Sequence, residues 1–277
     1  MVSFVNNVKT VILLGGLMGL FVAVGGALGG VQNLILFGAI GAVVNVGAFW
    51  FSDKIAIKTM RGQEVGEDHP LYGMVDRLRQ NAGLPMPRVY VCPQPAPNAF
   101  ATGRSPSNAA VAVTQGALQL LTERELEGVM AHELAHVKNR DTLISTIAAI
   151  VAGLLAMLAQ WSFFFIGGRN ENSNPLVSLG VIILAAVGAA VIRAMISRSR
   201  EFVADADGAA IAGSPDGLIS ALQKLEVYAQ RIPMQNPNPA QNNLFIVEPF
   251  SGNKTMMNLF ATHPPTEKRV EALRRAG

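Results

Sequence analysis

Two long apolar runs open the chain. Residues 11–31 carry no charge, and residues 34–51 are equally free of charge. Each run approaches the ~20 residues that a helix needs to cross a bilayer. A cleaved signal peptide normally has an apolar core of only ~7–15 residues, so we favour a retained transmembrane hairpin over residues 1–52.

Two further apolar runs, 143–166 and 176–192, predict a second transmembrane hairpin over residues 143–192. The hairpins separate two more polar stretches, 53–142 and 193–277. We expect these stretches to come together as the two parts of one domain.

Basic residues indicate on which side of the membrane this domain lies. Lys9, Lys54, Lys58 and Arg193 flank the predicted spans, whereas the turn between the first two spans carries no charge. Because positive residues gather on the cytoplasmic side of a membrane, we expect the polar domain to face the cytoplasm.

The first polar stretch shows the patterns of a small mixed domain, so the fold class is α+β and mostly helical. An apolar face predicts a helix over 69–82, and short β-rich segments predict three strands. The strands are Arg88–Cys92, Asn98–Thr102 and Ala109–Thr114. A free edge of this sheet could hold an extended peptide by strand addition, or the strands could simply pack against the next helix.

That next helix carries the chemistry. Thr122 and Glu125 have the spacing of a capping box at its start. His132 and His136 are four residues apart, so both imidazoles lie on one face and can reach one ion. Glu133 would lie beside that ion as a general base, as in the H-E-x-x-H motif of zinc peptidases. The alternative is a chance occurrence on an ordinary amphipathic helix.

A second helix supplies two carboxylates after the second hairpin. Catalytic zinc sites use three protein ligands and keep one position open for water. Glu201 is the expected third ligand, and Asp205, one turn later, could hydrogen-bond the far nitrogen of a ligating histidine. The alternative is that both carboxylates pair with Arg198 or Arg200 at the surface. Two imidazoles and a carboxylate suit Zn²⁺.

Composition agrees with a membrane protein and excludes other classes. Half of the 277 residues are hydrophobic and only 15% are charged, which is unusually apolar for a soluble enzyme. The net charge of +3 comes without an aromatic-interleaved basic patch, so we expect no nucleic-acid partner. The single Cys92 excludes an internal disulfide and a thiolate-cluster zinc site.

His-Glu-Leu-Ala-His at 132–136, followed after two apolar runs by Glu-Phe-Val-Ala-Asp at 201–205, resembles the HtpX heat-shock proteases. These are bacterial membrane zinc metalloproteases related to the CAAX prenyl endopeptidases. The resemblance implies a zincin-like protease domain with four transmembrane helices in the inner membrane. It also implies one Zn²⁺ on His132, His136 and Glu201, Glu133 as the catalytic base, and misfolded membrane proteins as substrates.

Two shorter segments extend the resemblance. Asn98, Ala99 and Phe100 are similar to the family's substrate-binding cleft strand. Residues 262–265 with Arg269 are similar to its closing motif, which implies that His263 could assist at the oxyanion. From the residues alone, His263 could equally make a structural hydrogen bond, and Arg269 could be a solvated residue of the last helix.

Two rival functions stay open at this point. One is a prenyl-peptide endoprotease of the same class, and the other is a non-catalytic membrane scaffold or transporter with a structural metal. A structural zinc site is usually closed by four protein ligands, whereas the sequence offers three and a base. The Pro- and Asn-rich segment 231–258 is expected to be a substrate-handling segment or a tether.

Overall fold

The computed structural model describes residues 2–27, 31–147, 198–231 and 264–276. Several sequence predictions lie outside these residues: the expected span 176–192, the span 143–166 beyond residue 147, the segment 232–258, and His263.

Two apolar helices, α1 (Val2–Ala27) and α2 (Val31–Thr59), pack against each other. Asn45 of α2 donates a hydrogen bond to the Leu14 carbonyl, 3.0 Å away. Within the described residues, α2 is the single helix whose length and apolar composition suffice to cross a bilayer. It continues through Asp53, where the sequence had placed the start of the polar domain, and its last turns carry that domain's first charges.

A four-stranded sheet follows, with strand order β1-β2-β4-β3. The middle pair, β2 and β4, is parallel, and the two outer pairings are antiparallel. The strands are β1 (Gln63–Glu64), β2 (Arg88–Cys92), β3 (Ala99–Gly103) and β4 (Ala109–Thr114). The three predicted strands are therefore present, whereas the two-residue β1 was not predicted. Because β3 pairs only with β4, it lies at an edge of the sheet.

The remaining helices include one that lies at the centre of the domain. They are α3 (Pro70–Ala82), α4 (Gln115–Leu120), α5 (Glu123–Asn139), α6 (Arg198–Ala212), α7 (Asp216–Arg231) and α8 (Thr266–Ala276). The central helix is α5, which packs against the sheet and against α3, α6 and α7. His69 N-caps α3, since its Nδ1 accepts a hydrogen bond from the Leu71 backbone N–H.

The start of α5 is fixed by the predicted capping box. Thr122 Oγ1 accepts from the Glu125 N–H, and the Glu125 carboxylate accepts from the Thr122 N–H. The same carboxylate accepts from Ser220 and Lys224 of α7, each at 2.6 Å. These contacts hold the pKa of Glu125 at about 2 despite its burial, which alone would raise it.

The end of α5 is fixed by a left-handed residue. Arg140 has a φ of 59°, and the Asp141 N–H donates back to the His136 carbonyl at 2.9 Å. This is the bonding pattern of a Schellman cap. The chain reverses there and residues 142–147 are again helical. Asp141 is therefore held beside the last turn of α5.

Candidate metal centre

Three side chains from two helices point their donor atoms at one another. His132 and His136 come from α5, and Glu201 comes from the first turn of α6. The two Nε2 atoms are 3.2 Å apart, and the Glu201 oxygens lie 3.8 Å from His132 Nε2 and 3.6 Å from His136 Nε2. A tetrahedral ion with bonds of ~2.0–2.1 Å would separate its ligand atoms by about 3.3 Å. The donor set thus fits one Zn²⁺-sized ion, and its chemistry suits zinc.

Each imidazole is backed by a carboxylate on the nitrogen that faces away from this cluster. His132 Nδ1 lies 3.0 Å from Asp205 Oδ1, within the range of an ion pair. His136 Nδ1 lies 3.2 Å from Asp141 Oδ2. In both cases a carboxylate favours the proton on Nδ1, which leaves Nε2 free to bind an ion.

An arginine holds each of these carboxylates in turn. Arg269 of α8 donates to both oxygens of Asp205, at 2.9 and 2.7 Å, and its side chain is only 1% exposed. Arg200 of α6 donates to Asp141 at 3.2 Å. The Arg269 contact holds the pKa of Asp205 at about 2, although burial alone would raise it. The Asp205 carboxylate is therefore ionised at neutral pH.

The neighbouring carboxylates also change the pKa of His136. Burial lowers the pKa of His136, but the Glu201 and Asp141 carboxylates outweigh it and raise that pKa to about 9. In the absence of an ion, both ring nitrogens of His136 therefore carry a proton at neutral pH, and the imidazole is positively charged.

Glu133 lies inside the site and is almost fully buried. Burial raises the pKa of its carboxyl group above the usual value, as expected for a proton acceptor tuned toward neutral pH. The carboxylate also accepts a hydrogen bond from the Ala101 backbone N–H of β3. The candidate base is thus tied directly to the edge strand.

The edge strand presents backbone rather than side chains. Thr114 of β4 exchanges hydrogen bonds with Asn98, so alternate residues of β3 direct their N–H and C=O groups away from β4. By this alternation the backbone N–H and C=O groups of Ala99 and Ala101 point away from β4. The Phe100 side chain packs on the opposite face of the sheet, in a cluster with α2 residues such as Ile57. Of the main-chain groups that point away from β4, the Ala101 N–H is the one that donates to Glu133.

The structure disfavours two of the alternatives left open by the sequence and adds two residues. Arg269 is not a solvated surface residue, because it is buried against Asp205. Glu201 and Asp205 are buried and not surface carboxylates, and both lie beside the buried Arg269. The sequence interpretation missed Asp141, which stands directly after the helix end. It also missed Gly208, whose spacing from Glu201 and Asp205 places it on the same helical face.

An active-site helix with two histidines, a carboxylate from a second helix and a buried glutamate beside an edge strand define a metallopeptidase. Residues 67–276 match the model of peptidase family M48. The chain belongs to this family. The non-catalytic scaffold is thereby set aside, and the chain is a metalloendopeptidase whose α2 has membrane-spanning length.

Several relatives are protease HtpX homologs, which confirms the resemblance seen in the motifs. The chain is 48% identical to the one from Desulforapulum autotrophicum, over 97% of this chain and 89% of the relative. It is 50% identical to that of Desulfatibacillum aliphaticivorans over the same shares. For Pelotomaculum thermopropionicum the identity is 48%, over 97% of this chain and 98% of the relative.

A solved structure shares the fold at lower similarity. The crystal structure of S. mikatae Ste24p superposes with a TM-score of 0.54 at 16% identity, over 98% of this chain and 66% of that one. This likeness extends to the fold alone.

Proposed function

We propose that the chain is a zinc-dependent endopeptidase of a bacterial inner membrane that degrades misfolded or damaged membrane proteins. One observation carries the proposal: three donor atoms at the spacing of a tetrahedral ion lie beside the buried carboxylate of Glu133 and an edge strand. His132, His136 and Glu201 would hold the ion. A zinc ion there would act as a Lewis acid on the scissile carbonyl and lower the pKa of water at its open position.

The chain's own groups would then position substrate and move protons. An extended peptide would pair with the outward main chain of β3 at Ala99, between Asn98 and Phe100. Glu133 would take a proton from water during attack on the scissile carbonyl and pass it to the leaving amine. Because recognition uses the main chain, it is largely independent of sequence, which suits a protease for unfolded chains. His263, by its resemblance to the family motif, would donate a hydrogen bond to the oxyanion.

The proposed topology has four transmembrane helices. Residues 1–52 form one hairpin and 143–192 the other, and the catalytic domain combines 53–142 with 193–277 on the cytoplasmic side. The mutual packing of α1 and α2 supports the first hairpin. Asp141 and Arg200 flank the second hairpin and lie in contact, as they would where a hairpin leaves and re-enters one domain.

The proposal is tested with Glu133→Gln in full-length protein purified in detergent. The variant keeps the shape of the side chain and the three candidate ligands, but amide nitrogen and oxygen cannot take a proton from water. We expect metal content equal to wild type and a loss of casein cleavage of at least ~10²-fold, the lower range for a general base. His136→Ala, as the matched ligand variant, should lose the metal as well.

Two results would contradict the proposal: cleavage retained by Glu133→Gln, or a metal content that His136→Ala leaves unchanged. A second assay separates the substrate classes. Prenylated peptides and an unfolded membrane protein are offered to the wild-type enzyme in parallel. Cleavage confined to the prenylated peptide would replace the proposed quality-control role with that of a prenyl-peptide endoprotease.

A further inference from the structure

Asp141 is held in place through both its backbone and its side chain. Its backbone belongs to the cap of α5, and its side chain reaches back to His136, five residues earlier. The Asp141 side chain is 4% exposed and that of Arg200 is 11% exposed, so water screens their ion pair little. The contacts therefore form a buried series from His136 Nδ1 through Asp141 to Arg200.

This series resembles the one on the other imidazole, His132 to Asp205 to Arg269, in chemistry but not in chain connection. Asp141 precedes the stretch 143–192 and Arg200 follows it, 59 positions later. Their contact therefore joins the segment that precedes this stretch to the segment that follows it.

A third element meets the same pair. Lys9, near the start of α1, lies within electrostatic range of both Asp141 and Arg200. Just beyond Asp141, Ile144 and Ile147 pack against Leu13 and Leu17 of α1. The place that backs His136 is therefore also the place where an apolar helix of the first hairpin joins the catalytic domain.

We infer that Asp141 is a positioning residue that orients His136 for the metal, and that Arg200 acts through Asp141 by fixing its carboxylate. This inference rests on the proposed metal set. The carboxylate favours the Nδ1-protonated form of His136, holds the ring plane, and leaves Nε2 as the donor atom. Metal retention then depends on the contact between Asp141, which precedes residues 143–192, and Arg200, which follows them.

The main test variant is Asp141→Asn. Asn and Asp serve equally well at helix ends, so the cap is kept, but the charge-assisted contact to Nδ1 becomes a weaker neutral one. In full-length protein, zinc affinity measured by chelator competition should fall by ~10–100-fold, as for other partners of metal-binding histidines. The visible absorption of the Co²⁺-substituted protein should change, because the geometry of one ligand changes. A role in folding alone would leave that spectrum as in wild type.

Arg200→Gln tests the second step. We expect a smaller loss of affinity, and the double variant should be no worse than Asp141→Asn alone, because Arg200 acts through Asp141. Arg200→Lys should restore part of the loss. The control is Arg124→Gln, which removes an exposed inter-helix pair with Asp216, 68% exposed on both sides, and should leave zinc affinity and the Co²⁺ spectrum unchanged.

Wild-type affinity and spectrum in Asp141→Asn would overturn the positioning role. Fully additive losses in the double variant would overturn the action of Arg200 through Asp141. Failure of the proposed metal set itself would look different, because His136→Ala would then bind zinc as well as wild type.

Discussion

Gly208 of α6 lies close against the backbone of α5 at His132, beside the candidate metal centre. A Cβ atom built on Gly208 would lie 2.8 Å from the His132 Cα and 2.9 Å from the His132 nitrogen. Both neighbours are backbone atoms, which cannot rotate away. Comfortable carbon contacts begin at ~3.5–4.0 Å, so Gly208→Ala requires α6 to move from α5 by roughly 0.7–1.2 Å.

That movement exceeds what a metal site tolerates. Glu201 lies on the same face of α6, and metal–ligand distances are held to within about 0.2 Å. We therefore expect Gly208→Ala to bind zinc at least ~10-fold more weakly and to lose roughly 10²-fold in kcat/KM, the effect of a 1 Å misplacement. Overpacking should also lower stability by about 1–3 kcal/mol. Chelator competition, peptide cleavage and thermal unfolding measure these effects.

Two glycine variants serve as controls. Gly73 of α3 is exposed, and a Cβ atom added to it would meet nothing within 4 Å, so Gly73→Ala should be stabilising by roughly 0.5–1 kcal/mol. Gly128 of α5 would bring its Cβ to 2.4 Å from the Leu218 nitrogen of α7, a helix with no residue in the candidate metal set. Gly128→Ala should therefore lose stability while its folded fraction keeps zinc affinity. Wild-type affinity and cleavage in Gly208→Ala would refute the reasoning.

Two further predictions concern charge. Glu125→Ala removes a cap and charged hydrogen bonds to α7, so it should cost about 2–4 kcal/mol at neutral pH, whereas exposed Glu123→Ala should cost little. The pKa of Glu125 in the folded protein is depressed to about 2, so the stability lost in Glu125→Ala should be greatest above pH ~4.5 and should shrink as pH falls toward 2. A loss of stability in thermal unfolding that does not change with pH would contradict this. His136, whose pKa is raised to about 9, must lose a proton to bind an ion, so zinc affinity should rise close to tenfold per pH unit from pH 7 and level off near 9. Chelator competition across this range tests it, and a flat profile would show that His136 is already neutral.

Local patterns predicted the parts of this molecule that depend on neighbouring residues. The capping box at Thr122 and the three main strands follow from spacing and composition, and each is present. The pair His132 and His136 shares a face simply because they are four residues apart. Such features need no knowledge of the rest of the fold.

Features set by tertiary contacts could not be predicted in the same way. Arg269 looks like one more charge on a polar helix, and only the packing of α8 shows that it is buried against Asp205. Asp141 looks like part of a solvated polar break after α5. Its role depends on the left-handed conformation of Arg140, which turns the chain back toward His136. One signal was available: a carboxylate five residues after a candidate ligand, at a helix end.

The face of α6 shows how a site can be shared by two distant stretches of chain. Glu201, Asp205 and Gly208 follow one another at helical spacing, so the proposed ligand, the carboxylate beside His132 and the contact point with α5 lie on one face of the helix. Gly208 leaves room for the close approach of α6 to α5, and Arg269 of α8 holds the Asp205 carboxylate. The geometry of the candidate metal centre thus depends on the packing of α5 against α6.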